Sequence, residues 1–157
     1  MNKTVKYAPI KRGIALKPLS RDHHHGLLLC WKIRTGLKKE IDTARIKKFT
    51  DWFFNNNLVN HFSDEEELIF PLLGSNHEYV RKAVAEHRRL KRLFEDTVDP
   101  RRSLSLIEEE LERHIRFEER IMFPAIERVA SEKELSLIMA IHTETTKVED
   151  WGDPFWI

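Results

Sequence analysis

Eleven residues of this chain occur twice in recognisable form, HFSDEEELIFP at 61–71 and HIRFEERIMFP at 114–124, with His, Glu, Glu, Phe and Pro at the same offsets. A His and a Glu four apart on a helix are ordinarily an exposed pair worth roughly 0.2–0.5 kcal/mol. Periodicity argues against that reading here. Phe54, Leu58, His61, Glu65, Leu68 and Leu72 recur at steps of three and four, and Ile107, Leu111, His114, Glu118, Ile121 and Ala125 repeat the pattern. Both His/Glu pairs are therefore expected in the apolar seam of their helices. Burying them there costs on the order of several kcal/mol unless they are paired or bind a cation.

The rest of the chain supports a helical context for this motif. With 5 Gly and 6 Pro in 157 residues, and no alternating strand-like segments bounded by turns, the expected fold is all-α. Residues 1–19, with Pro9, Gly13 and Pro18, read as an extended arm. Ser20 is the expected cap of a first helix that has Asp22 in its first turn and carries Leu27, Leu28, Trp31 and Leu37 inward. A second helix is expected from Asp42 to Leu73, with Gly74 as terminator, and a third from a Ser75 or Asn76 cap to about Thr97. The fourth runs from Ser103 to Val129, and Ser131 caps a short fifth. Short connections favour an up-down-up-down four-helix bundle over residues 20–146, including the short helix, followed by an aromatic tail at 147–157. That tail, ending WGDPFWI, either folds back on its own bundle or docks on a protein partner or a second subunit in a homodimer, since exposed aromatics are an aggregation liability.

Lys and Arg number 27 against 26 Asp and Glu, so net charge gives no push toward nucleic acid or an anionic membrane. The basic strip of Arg81, Arg88 and Arg92, flanked by Lys82 and Arg89, reads as a solvated face. Nothing in the sequence suggests a signal peptide or a membrane span, and a single Cys30 fits a cytoplasmic setting. Cys30 itself reads as inert packing, with a redox-sensitive thiol near the site as the alternative.

The remaining histidines complete the repeat. His87 is followed by Leu90, Leu93 and Phe94, and His24 by Leu27, Cys30 and Trp31. The chain thus reads as two copies of one unit, a lone inward His on one helix and H-x-x-x-E on the next. Such a duplication puts four His and two Glu at one level of the bundle, a donor set for two ions with each carboxylate bridging them. Imidazole with carboxylate suits Fe, Zn, Cu or Ni rather than Mg or Ca. Two carboxylates cancel only half the charge of two divalent irons. A bridging oxide or hydroxide is then expected, at a site suited to holding a small ligand reversibly or sensing redox state.

Together DHHHGLL, HFSDEEELIFP, EHRRL and HIRFEERIMFP resemble the hemerythrin-like, or HHE cation-binding, family over about residues 20–130. The resemblance implies a four-helix bundle around a non-haem di-iron centre, with His24, His61, Glu65, His87, His114 and Glu118 as ligands and zinc as the alternative metal. It implies binding of O₂ or NO by a sensor, scavenger or store. The alternatives are a di-iron enzyme for NO or peroxide reduction or iron-centre repair, and an interaction bundle whose site holds zinc or nothing. The fifth His expected of oxygen carriers is missing, because the neighbours one turn either side of His87 on its face are Ala83 and Lys91. Within the run His23-His24-His25, His24 is preferred as ligand because it shares a face with Leu28 and Trp31, and His23 is the alternative. Glu66 and Glu119 are expected in ion pairs between helices or in hydrogen bonds behind the ligands. Pro71 and Pro124 are expected to kink or end their helices. His77 and His142 read as surface, capping or packing residues.

Overall fold

A computed structural model describes residues 12–141 and 150–157; His142 lies outside them, as does most of the expected arm. Five helices, here α1–α5, make a four-helix bundle with a short fifth helix. α1 is Lys17–Lys38. α2 is a long rod that starts as an α-helix at Thr43–Phe53 and passes through a π-helical turn at Phe54–Leu58. It continues as α-helix Val59–Asp64, a second π-helical turn at Glu65–Ile69 and a closing 3₁₀ turn at Phe70–Leu72. α3 is Glu78–Glu95. α4 comprises Pro100–Phe117, a π-helical turn at Glu118–Met122 and Phe123–Val129. α5 is Glu132–Ile141.

Local chemistry sets most of these boundaries. Asp42 caps α2 by accepting from Ala44 N, and Gly74, at φ 97°, supplies the left-handed turn that ends it. His77, rather than Ser75 or Asn76, caps α3 by accepting from Tyr79 N, and Asp99 caps α4 through Arg102 N. Ser131 and Glu134 form a reciprocal capping box at the start of α5. The last residues of the expected arm, 14–19, are helical. Ile14–Leu16 form a 3₁₀ turn that leads into α1 at Lys17, with Pro18 in the first turn, where its missing N–H is not needed.

The buried side chains form two apolar clusters. One gathers Leu29, Cys30, Ile33, Phe54, Leu58, Phe62, Leu90, Ile107, Leu111 and Ile115. The other gathers Leu16, Leu19, Ile69, Phe70, Ala83, Met122, Phe123 and Ile138. Buried His and Glu side chains lie between them. The inward face of α1 also differs from expectation. Leu28 and Trp31 are 38% and 48% exposed, while Leu29, Cys30 and Ile33 are buried. Gly26 permits this packing, since a Cβ there would lie 2.8 Å from Ile115 Cδ1.

The π-helical turns shift the seam by one residue. In each repeat the buried position falls on Ile69 and Met122 rather than on the expected Leu68 and Ile121; Ile121 is 44% exposed. The two wide turns at Glu65–Ile69 and Glu118–Met122 are closed by the N–H of the Phe of the repeated Phe-Pro, donating to the carbonyl of the repeated Glu five residues earlier, Phe70 to Glu65 and Phe123 to Glu118. Pro71 then sits in the 3₁₀ turn that finishes α2, whereas α4 continues past Pro124 to Val129. The widened turn accommodates a residue that can neither donate an N–H nor clear the carbonyl four residues back.

The tail folds back onto its own bundle. Trp151 and Trp156 pack against Phe49 with ring centroids 5.2 Å away in each case, Lys32 Nζ lies 4.0 Å over the Trp156 ring, and Arg45 pairs with Asp153. Phe155 is buried against Gly36, where a Cβ would lie 2.9 Å from its ring. Among the described residues no helix is long and apolar enough to cross a membrane.

Candidate metal centre

All five histidine and glutamate positions expected on the H-x-x-x-E helices and on α3 come together, and α1 supplies a different residue. His61, Glu65, His87, His114 and Glu118 converge in the bundle interior, all of them buried. His24 does not join them, because its side chain is exposed on the outer face of α1. His23, 4% exposed, takes its place. The expectation failed because it matched apolar residues after His24 to those after His87. The structural equivalents at the same offsets from His23 are Gly26, Leu29 and Cys30, and two of these three are too small to mark a seam by their bulk.

The ligand atoms form two groups, His23, His61, Glu65 and Glu118 in one and Glu65, His87, His114 and Glu118 in the other. In each group the atoms lie within 4.8 Å of one another, and both glutamates belong to both. The Nε2 atoms face carboxylate oxygens closely. His61 Nε2 is 3.2 Å and His87 Nε2 3.3 Å from Glu65 Oε1; His114 Nε2 is 2.7 Å and His23 Nε2 3.4 Å from Glu118 Oε1. Yet both oxygens of Glu65, both of Glu118, and Nε2 of His23 and His61 are buried without a hydrogen bond. Two buried carboxylates without a hydrogen-bond partner are costly in any protein. Lone pairs from two bundle halves converging on shared points fit a pair of cations, and the donor set of imidazole and carboxylate suits a first-row transition metal.

A carboxylate stands behind every imidazole. Nδ1 of His23 donates to Glu119 at 2.7 Å, His61 to Asp22 at 3.0 Å, His87 to Glu66 at 3.0 Å and His114 to Glu86 at 2.8 Å. An ionised carboxylate can only accept, so Nδ1 carries the proton, and Nε2 offers its lone pair to the centre when the imidazole is neutral. Glu66 and Glu119 bond as the sequence suggested. Asp22 and Glu86 were missed in this role, although the signal was present: each immediately precedes the lone histidine of its repeat. The Phe of each Phe-Pro also finds a purpose here. Phe123 stacks on His23 at 5.2 Å and Phe70 on His87 at 5.6 Å, so each repeat lays its ring on the other repeat's histidine.

Charge in the site is divided unevenly. Burial and the neighbouring charge of Glu118 push the Glu65 carboxyl up to about 8. Burial would also raise Glu118, but the His114 cation and the close approach of Glu65, His114 and His23 hold it well below the usual range. Burial disfavours charge on His114, and the carboxylates of Glu118, Glu86 and Glu65 outweigh it, raising the imidazole to about 10. His23 and His87 are raised in the same way against the cost of burial. For Glu119 burial is opposed by His23, Ser20 and Arg12, which bring it to about 2.

No family model, no curated protein and no solved structure matches the chain. The helical bundle and its two overlapping His/Glu groups nevertheless match the hemerythrin-type architecture for binding a pair of metal ions.

Proposed function

We propose that His23, His61, Glu65, His87, His114 and Glu118 hold two iron ions and that the loaded protein binds O₂ or NO as a sensor, scavenger or store in the cytoplasm. The observation that carries this reading is the set of buried, unsatisfied carboxylate oxygens and imidazole nitrogens aimed at two common points. Bound iron would supply the redox chemistry and the coordination position for the diatomic ligand. The chain's own residues supply the rest. The four Nδ1–H···carboxylate bonds fix ring orientation and tautomer, Glu65 and Glu118 would serve both ions, and Phe70 and Phe123 cover the flanks of His87 and His23. Ala83, buried one turn before His87, offers no ligand atom, which supports an arrangement of two imidazoles and two shared carboxylates around each ion.

The test is metal content of anaerobically prepared protein together with its optical spectrum before and after admission of air. About two irons per chain, with bands appearing in air and disappearing on reduction, is the expected result. Zinc in place of iron, or no spectral change after iron reconstitution, would reject the redox reading and favour a structural site. Turnover of NO or peroxide with a reductant, rather than stoichiometric binding, would assign the protein to the enzymes instead.

A further inference from the structure

The two halves of the centre are related by an approximate two-fold axis, but their surroundings are not. On the His23 side, Glu119 is held between two partners. One oxygen accepts from His23 Nδ1 at 2.7 Å and the other accepts from Arg12 Nη2 at 2.9 Å. The Arg12 guanidinium also donates to Glu127 Oε1 at 2.6 Å and to the backbone carbonyl of Glu119, and it lies 5.3 Å over the Phe123 ring that stacks on His23. Gly13 N adds a bond to Glu127 Oε2 at 2.8 Å. The Arg12 side chain is only 6% exposed, so residues 12–16, just before α1, close this side of the centre.

The symmetry-related position is open. Glu66, the counterpart of Glu119, is 39% exposed, and the charge of Arg88 acts on it without a clamp like the one that Arg12 makes on Glu119. It borders a surface pocket of about 410 Å³ lined also by Phe54, Phe62, His87, Arg88 and Lys91. Orientation of His87 therefore depends on contacts within the bundle, including the Phe62 ring stacked on it at 4.0 Å. Orientation of His23 depends in addition on a residue outside the bundle.

We propose that Arg12 is a positioning residue for one ion only: by fastening Glu119 behind His23, it makes the ion at His23 and His61 depend on docking of residues 12–16, whereas the ion at His87 and His114 binds without it. This rests on the metal reading above. Removing Arg12 leaves the Glu119 carboxylate half-desolvated with one partner fewer, and the imidazole it orients becomes free to turn. Losing such an outer partner typically weakens metal binding roughly tenfold to a hundredfold. Because coupling is reciprocal, loading that ion in turn favours the docked segment.

The experiment titrates full-length protein anaerobically with Co(II), following stoichiometry and ligand-field absorption in the wild type, Arg12→Gln and Arg12→Lys. His23→Ala and His87→Ala serve as references for occupancy of a single position. The expected result is that Arg12→Gln binds one ion as the wild type does and the second roughly tenfold to a hundredfold more weakly. Its half-loaded spectrum should match that of His23→Ala, and Arg12→Lys should recover part of the loss. Equal affinity for both ions, equal weakening of both, or a half-loaded spectrum matching His87→Ala would overturn the proposal. A wild type that binds fewer than two Co(II) ions would instead overturn the metal centre on which it rests. Circular dichroism of each variant before titration separates these outcomes from misfolding. If Arg12→Gln proves unfolded, the comparison of Arg12→Lys with the wild type decides by the same criteria.

Discussion

The imidazole of His23 is held from three directions, by Glu119 behind it, Phe123 on its face and the shared carboxylates in front. Its neighbour His24 has none of these contacts. We therefore expect His23→Ala to lose one of two ions and His24→Ala to keep both, as read by metal content per chain after dialysis against excess metal. The distinction was hidden in the sequence for a physical reason: His23 sits above Gly26 and Cys30, and neither carries the bulk by which a buried face is recognised. The acidic residues preceding the lone histidines were visible but ambiguous, since an acidic residue near a helix start also complements the helix dipole. Cys30 makes a separate prediction. Burial first, then the charges of Glu112 and Glu108, pushes its thiol from 9.0 up to about 12. The folded state thus keeps a proton that the unfolded state releases, and this contribution to stability is present below pH 9.0 and lost as pH rises toward 12. At about pH 8 a thiol reagent should leave the native protein unmodified and react once urea unfolds it; rapid native modification would disprove the buried, neutral thiol.

The helices were legible from periodicity wherever that periodicity is regular. Helix starts at Asp42 and Ser131 and the stop at Gly74 follow from the chemistry of those residues. What a regular period cannot reveal is an interruption of itself, and the π-helical turns at Glu65 and Glu118 displace the buried positions from Leu68 to Ile69 and from Ile121 to Met122. The repeated five-residue spacing from Glu to Phe, followed by Pro, is the local signature of that interruption. At the Gly74 turn the cost of substitution is purely conformational. A Cβ there meets nothing within 4 Å, but φ is 97°. Gly74→Ala should destabilise the fold by about 1–2 kcal/mol in urea denaturation without changing metal content. A change within error of zero would mean that the turn relaxes to another conformation.

At the scale of the molecule, the tail and the metal centre are separate sources of stability. Phe155 is 2% exposed and packs beside Gly36, thirteen residues along α1 from His23. Phe155→Ala should cost about 3 kcal/mol while leaving the metal content unchanged, which combined denaturation and metal analysis would check. Stripping the metal should lower stability independently, by about 2.7 kcal/mol relative to protein held at a free metal concentration a hundred times the dissociation constant. No shift of the melting temperature on chelation would argue that the buried carboxylates are satisfied by protons instead. The symmetry of the centre carries one more consequence. Glu66 of the first repeat serves His87 of the second, Glu119 of the second serves His23 of the first, and the two Phe rings cross over in the same way. A polypeptide carrying only one repeat would lack the second shared glutamate, the carboxylate behind its lone histidine and the ring stacked on that histidine, and two copies of it would have to associate to complete either site. Joining the copies end to end removes that concentration dependence and releases the two flanks from having to be identical, and in this chain one flank has been closed by Arg12 while the other has stayed open beside Glu66.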